Sequence, residues 1–303
     1  MNHRWRHLIP LLPSTSPLFV PDLPGYGVSS PITQNDKVSA GIAILNALKT
    51  EVHRISSELP PRPISIILIG HDRGARVAHH LTVQGIAGIS ILGTCLIDIV
   101  KYRPPTIHPL ITLTDQPQIP TSTQWQNDSP APTAAKEITG YFHWALLANP
   151  PLATRLITAL GPETWCREMI HRWAGSSSAG LASLQADGAV DLYAAFFAQH
   201  GTLQASCEDY KHGATTDVER EAQWQREGRR IRAPLLLLYS QEGIGARYLF
   251  PDVWREWVGQ GVAIESFGLG VGVGHFGAEE APEECARQIL GWLRGLTMSE
   301  KEE

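Results

Sequence analysis

Two short apolar runs constrain this chain more than anything else in it: Ile64 to Ile69 (ISIILI) and Pro234 to Tyr239 (PLLLLY). Runs of this length, with almost no polar alternation, suit strands covered on both faces. Strands of that kind occur in parallel sheets whose crossovers are helices. The intervening sequence supplies both. Val38 to Leu59 carries apolar residues at helical spacing and stops before Pro60-Pro61, and Ala75 to Gln84 is helix-like. Ile89 to Val100 contains another buried strand, Val262 to Phe267 predicts a last strand, and Pro282 to Leu293 a closing helix. Pro17 to Leu23 (PLFVPDL) also reads as a short strand, closed by the turn Pro24-Gly25-Tyr26-Gly27. The expectation is an α/β fold, a mostly parallel sheet with helices on both faces.

Two segments break that rhythm. Residues 103–138 are rich in Pro, Thr, Ser and Gln, with seven prolines between Lys101 and Gly140, and read as a long surface loop. Tyr141 to Arg230 has helical patterning, several aromatics and no strand candidate. A helical insertion between two parallel strands is expected to cover the sheet's C-terminal edge, where such folds bind ligands. The expected layout is a core of residues 1–102 and 231–303, a Pro-rich loop at 103–138 and a helical lid at 139–230.

Composition permits such a core and excludes several classes. The 303 residues are 43% hydrophobic and only 18% charged, which rules out a largely disordered chain. A net charge of −5 argues against a nucleic-acid partner, and 22 prolines with 27 glycines exclude a coiled coil. No apolar run reaches the roughly 18 residues that span a bilayer. The N-terminal apolar patch is broken by Pro10, Pro13 and Pro17 and is not read as a signal peptide. Cys95, Cys166, Cys207 and Cys285 are scattered, as reduced thiols of a cytoplasmic protein would be.

The strongest chemical signal is Gly70-His71-Asp72-Arg73-Gly74, directly after one buried run and before a helix. This is the strand–turn–helix setting of a nucleophile elbow, G-x-Nuc-x-G, with Asp in the serine position. The reading takes both glycines as required by the tightness of the turn. A carboxylate is nucleophilic at neutral pH without a base and suits attack on an sp3 carbon, leaving an ester to be hydrolysed later. The alternative is that Asp72 caps the following helix.

The second step needs a base to activate water. His275, in Gly274-His275-Phe276 after the last strand, lies on a loop at the sheet's C-terminal edge; otherwise it is a solvated loop histidine. Asp98, ending the run Cys95-Leu96-Ile97, could fix its tautomer as a third triad member, or could be satisfied by turn amides. Arg73 and Arg76 follow Asp72 on the new helix. They would keep it ionised and could grip a substrate carboxylate, or could pair with nearby acids at the surface.

At these residues the sequence resembles the α/β-hydrolase superfamily and, within it, the haloacetate (fluoroacetate) dehalogenases, relatives of epoxide hydrolases. VPDLPGYGVSSP, GHDRGAR, LIDI, YFHWALLANP, CEDYKHGA and GHFGAEEAPEE carry the likeness along nearly the whole chain. The resemblance implies Asp72 as nucleophile, Asp98 as acid and His275 as base, with Arg73 and Arg76 binding the carboxylate. His143, Trp144 and Tyr210 would donate hydrogen bonds to the departing halide; without the resemblance, the HW pair reads as a packed aromatic face. Many relatives place the acid after the strand ending at Tyr239, where only Glu242 is available here, which strengthens Asp98.

The resemblance also implies further strands and an oxyanion-hole loop ahead of MNHRWRHLIPLL, which looks like the helix after that loop. The chain is therefore expected to be truncated, with only the Arg73 amide left of the usual pair, and Pro17 to Leu23 either pairs with Ile64 to Ile69 or leaves an open edge. The expected function is hydrolytic cleavage of a carbon–halogen bond in a small 2-haloacid, with no cofactor and no metal. Expected partners are a small carboxylate substrate, no nucleic acid and no membrane, with a homodimer as an allowed assembly. The alternatives are an epoxide hydrolase or other hydrolase of a carboxylated metabolite, or a catalytically impaired homologue.

Overall fold

The computed structural model describes residues 2–56, 63–100, 139–199 and 201–299. The apolar runs become four parallel strands in the order β1 (Ile64–His71), β2 (Ile89–Ile97), β3 (Leu235–Ser240) and β4 (Ile264–Leu269). Leu235 to Leu238 on β3 are at most 1% exposed, because β3 has a strand on each side and helices above and below. Period-two geometry divides them between two cores. Leu236 and Leu238 pack with Cys95, Ile97, Leu269, Ile289 and Trp292. Leu235 and Leu237 pack with Ala75, Ala78, Leu96, Trp254 and Trp257.

Three expectations need correction. Ile64 to Ile69 is not buried on both faces: β1 is an edge strand, partly exposed along its length, with Ile67 36% exposed. Pro17 to Leu23 is irregular, not a strand; Pro17 and Pro21 lack the N–H groups a ladder needs. It does not pair with β1, whose described strand partner is β2 alone. The N-terminal residues form two 3₁₀ turns, Asn2–Trp5 and Ile9–Leu11, in place of a helix; Pro10 and Pro13 deny it donors. The Pro-rich loop expected at 103–138 lies outside the described residues.

Helix α1 (Lys37–Ser56) and α2 (Arg73–Gln84) flank β1. Between β2 and β3 the described residues form α3 (Phe142–Leu147), α4 (Pro150–Leu160), α5 (Pro162–Trp173), α6 (Ser178–Gln185), α7 (Ala189–Phe197), α8 (Thr202–Ala214) and α9 (Thr216–Arg226). After β3 come α10 (Asp252–Arg255), α11 (Gly277–Glu280) and α12 (Pro282–Ser299). Among the described residues no helix is long and apolar enough to cross a membrane, and all four cysteines are free thiols.

Buried charge ties the inserted helices to the core. Lys37, 1% exposed at the start of α1, pairs with Asp209 of α8 and lies 3.6 Å from Asp217 of α9. Arg6 pairs with Glu279 and donates to Tyr193 Oη (3.1 Å) and the Ser183 carbonyl (3.0 Å). These contacts join the first residues to α6, α7 and α11.

Candidate active site

β1 ends in the sharp turn that the elbow pattern predicts. Asp72 has φ +50° and ψ −116°, a conformation costing about 1–3 kcal/mol for a non-glycine residue. A Cβ on Gly70 would lie 2.5 Å from the Gly74 carbonyl oxygen, so strand and helix backbones touch there and glycine is required. A Cβ on Gly74 would meet nothing within 4 Å. The expected steric need therefore holds for Gly70 and not for Gly74. Asp72 makes no side-chain cap on α2, which removes the capping alternative.

Asp98, just past β2, repeats the unusual backbone with φ +47°. Its buried carboxylate is fully engaged. Oδ1 accepts from the Ser240 amide (2.8 Å) and hydroxyl (2.7 Å), and Oδ2 accepts Nδ1–H of His275 at 2.7 Å. That bond fixes the tautomer and turns Nε2 toward Asp72, whose Oδ2 is 3.6 Å away. Asp72, Asp98 and His275 thus converge from the ends of β1 and β2 and from the loop after β4.

The loop carrying His275 is itself held. Glu280 accepts from the amides of Gly274 (2.9 Å), Phe276 (2.9 Å) and Gly175 (2.8 Å), and the His275 amide donates to the Trp173 carbonyl at 2.8 Å. His71 supports it from the elbow. The Arg4 guanidinium faces its Nδ1, so Nδ1 accepts and Nε2–H donates to the His275 carbonyl at 2.7 Å. The sequence reading missed Arg4, His71, Ser240 and Glu280. The elbow's x position was the one available signal, for His71.

Electrostatics follow from this geometry. Burial opposes a charge on His275, but the negative charge of nearby Asp72 and the hydrogen bond and charge of Asp98 outweigh it and raise the imidazole from 6.5 to about 9. Burial likewise opposes ionisation of Asp72, and the positive charges of His275 and Arg73 outweigh it and hold it well below the usual carboxylate range. Burial, Arg4 and His275 keep His71 neutral; burial pushes His143 down to about 4.

These shifts give a pH dependence of stability. His275 binds its proton more tightly folded than unfolded. Its contribution is complete below pH 6.5 and is lost as pH rises toward about 9. His71 and His143 bind protons less tightly folded, so their contribution is lost as pH falls below 6.5. Thermal melting across pH 4–10 is expected to peak near the unperturbed histidine value of about 6.5 and to fall on both sides. A stability flat from pH 6.5 to 9 would contradict the His275 assignment.

The two arginines diverge. Arg73 pairs through Nε with Asp209, donates to the Asp209 carbonyl (2.8 Å) and lies over the Tyr210 ring at 4.2 Å. Its pairing is buried, not at the surface, and much of its donor capacity is already taken. Arg76 lies 4.8 Å over the Trp144 ring and donates once, at 3.3 Å, to the Val100 carbonyl. Among the described residues its Nε is buried without a hydrogen-bond partner.

Aromatic side chains from α3, α5 and α8 close over this edge. His143 lies 4.6 Å from the Trp173 ring, 6.3 Å from Trp144 and 5.9 Å from Tyr210, and Trp173 lies 6.0 Å from His275. The charge of Asp72 reaches both His143 and Tyr210. Among the described residues His143 Nδ1 is buried without a hydrogen-bond partner. The structure therefore brings together all the residues singled out in the sequence, with Arg73 turned toward Asp209.

This fold, an elbow carboxylate and a histidine–acid pair at the strand ends define an α/β hydrolase, and the chain belongs to the alpha/beta hydrolase family, whose model matches residues 2–288. It is 23% identical to a fluoroacetate dehalogenase from Burkholderia sp over 99% of this chain and 87% of that protein. Among solved structures it is similar to a point mutant of a candidate epoxide hydrolase from Pseudomonas aeruginosa, with a TM-score of 0.73 and 21% identity over 98% of this chain and 86% of that one. A candidate alpha/beta hydrolase from Nostoc sp PCC 7120 gives 0.69 and 27% over 97% and 87%.

Proposed function

We propose that this hydrolase cleaves the carbon–halogen bond of a small 2-haloacid through an ester on Asp72. The observation that carries the reading is the His275 bridge, with Nδ1 held by Asp98 at 2.7 Å and Nε2 3.6 Å from Asp72. The likeness to the fluoroacetate dehalogenase supports it. In the first step a carboxylate oxygen of Asp72 attacks the carbon bearing the halogen. The carbon–halogen bond breaks, and the halide leaves with both electrons. His143, neutral at physiological pH, donates an N–H to the developing charge, and Trp144 and Tyr210 add donors without a buried cation.

In the second step His275 takes a proton from water, and the oxygen attacks the ester carbonyl carbon. The hydroxyacid leaves with the oxygen that Asp72 supplied, and Asp72 keeps one from water. The net reaction consumes water and releases halide, a proton and the hydroxyacid. At rest His275 is largely protonated because Asp72 is ionised beside it. Ester formation removes that negative charge and lowers its proton affinity, so the first step prepares the base for the second. The Arg73 amide, in the first turn of α2 where an N–H has no helical acceptor, faces the charge developing on the ester carbonyl. Residues 139–230 act as the lid.

Arg76 is the principal anchor for the substrate carboxylate, through its buried unclaimed Nε. Arg76→Ala is expected to raise KM for a haloacid roughly 10- to 100-fold, the loss of one charge-assisted hydrogen bond, with little change in melting temperature. Arg73→Ala is expected to lower stability instead, by stripping Asp209 of a buried partner. Steady-state kinetics and thermal melts on both variants check the division.

A second reading, an epoxide hydrolase, is favoured by the buried, unpartnered Tyr141 hydroxyl, which with Tyr210 could protonate an alkoxide. Haloacetates and simple epoxides assayed side by side decide between the two. Halide release with no epoxide opening supports the first; the reverse overturns it.

A further inference from the structure

One turn beyond Arg76, α2 carries two adjacent histidines that the proposed reaction does not use. His79 and His80 are 2% and 1% exposed, and Glu221 of α9, also buried, faces both. His80 Nε2 lies 3.6 Å from Glu221 Oε1 and 3.9 Å from Asp217 Oδ1, and His79 Nδ1 lies 3.9 Å from the same Glu221 oxygen.

The tautomer of His80 is fixed. Its Nδ1 is 2.9 Å from the Arg76 carbonyl oxygen, which only accepts, so Nδ1 carries the hydrogen. Nε2, buried and without a hydrogen-bond partner, then turns its lone pair toward two carboxylates. Lone pair against lone pair in a desolvated site is repulsive unless something positive lies between.

The spacing suits a metal ion. Two donors at about 2.1 Å from a tetrahedral ion are about 3.4 Å apart; here the imidazole–carboxylate separations are 3.6 to 3.9 Å and the donor atoms of His79, His80 and Glu221 all lie within 4.8 Å of one another, so the side chains close inward around an ion. The donor types are nitrogen and carboxylate oxygen, the set zinc takes. The Arg76 carbonyl supplies the outer hydrogen bond that metal-bound histidines make. Trp254 and Trp257, 5.1 and 4.7 Å from His79, and Trp224, 5.2 Å from His80, provide an apolar wall.

We propose that His79, His80 and Glu221, with Asp217 as fourth donor, form a site for a divalent transition cation of the zinc class. Glu221 Oε1 faces both histidines and is the main anionic ligand, while Asp217 also neighbours Lys37 and Arg220. The ion fastens α9 to α2 and takes no part in hydrolysis.

Because the site is buried, the ion enters as the chain folds. The full chain, purified from zinc-supplemented cultures and passed through a chelator, is expected to retain about one zinc per chain by elemental mass spectrometry. Stripped unfolded and refolded with Co²⁺, it is expected to show the visible bands of a low-coordinate cobalt site. No retained zinc and no cobalt bands would overturn the site. Glu221→Gln, and His80→Arg, which puts its own positive charge between the carboxylates, are expected to fold by circular dichroism and to lose the ion. Equal zinc in both variants would overturn the assignment. If neither folds, NMR of the wild-type cobalt protein decides: two exchangeable paramagnetically shifted imidazole N–H protons are expected, and fewer contradict it.

Discussion

Asp72→Asn is expected to abolish halide release, with a fall on the order of 10⁴-fold or more, the scale seen when a covalent nucleophile is removed. The substitution suits a clean test. Asparagine has nearly the shape of aspartate, so the elbow should persist. A carboxamide oxygen cannot displace a halide from carbon at a comparable rate. The same change removes the anion that helps hold His275 at about 9. The imidazole is therefore expected to titrate closer to its ordinary range in Asp72→Asn, as NMR of its ring protons would show. Residual halide release within tenfold of the wild type would remove Asp72 from the reaction.

His275→Ala is expected to separate the two halves of the cycle. Displacement by Asp72 needs no base, so the variant should release about one halide per chain in a burst and then stall. The stalled protein should gain the mass of one carboxymethyl group when the substrate is a haloacetate, mapped to the peptide containing Asp72. Asp98→Asn should show a milder form of the same block, because Nδ1 of His275 would lose its ionised acceptor at 2.7 Å. A variant that shows neither burst nor adduct places His275 before or within the first step, against this account.

What could be read from the chain depended on how local the cause was. β1 and β3 emerge from their own apolar runs, and α2 begins where the elbow demands, so Asp72, Arg73 and Arg76 could be numbered from a seven-residue motif. Asp98 and His275 were legible through their placement at strand ends. PLFVPDL looked like a strand because its side chains suit one, but a strand also needs backbone donors and a neighbour. The supports of the site were not legible. Arg6 finds Glu279 across 273 positions and Ser240 finds Asp98 across 142, and neither has a spacing to betray it. The diversion of Arg73 depends on Asp209, set on α8 by a buried lysine from α1. Adjacent histidines in a helix likewise carry no signal until α9 brings Glu221 against them.

A single turnover in heavy-oxygen water, with protein in excess over a haloacetate, tests the ester on Asp72 most directly. The first hydroxyacid formed is expected to carry ordinary oxygen from the carboxylate, while the heavy isotope appears in the Asp72 peptide. Heavy oxygen in that first product, with none in the peptide, would mean that water attacks the substrate directly.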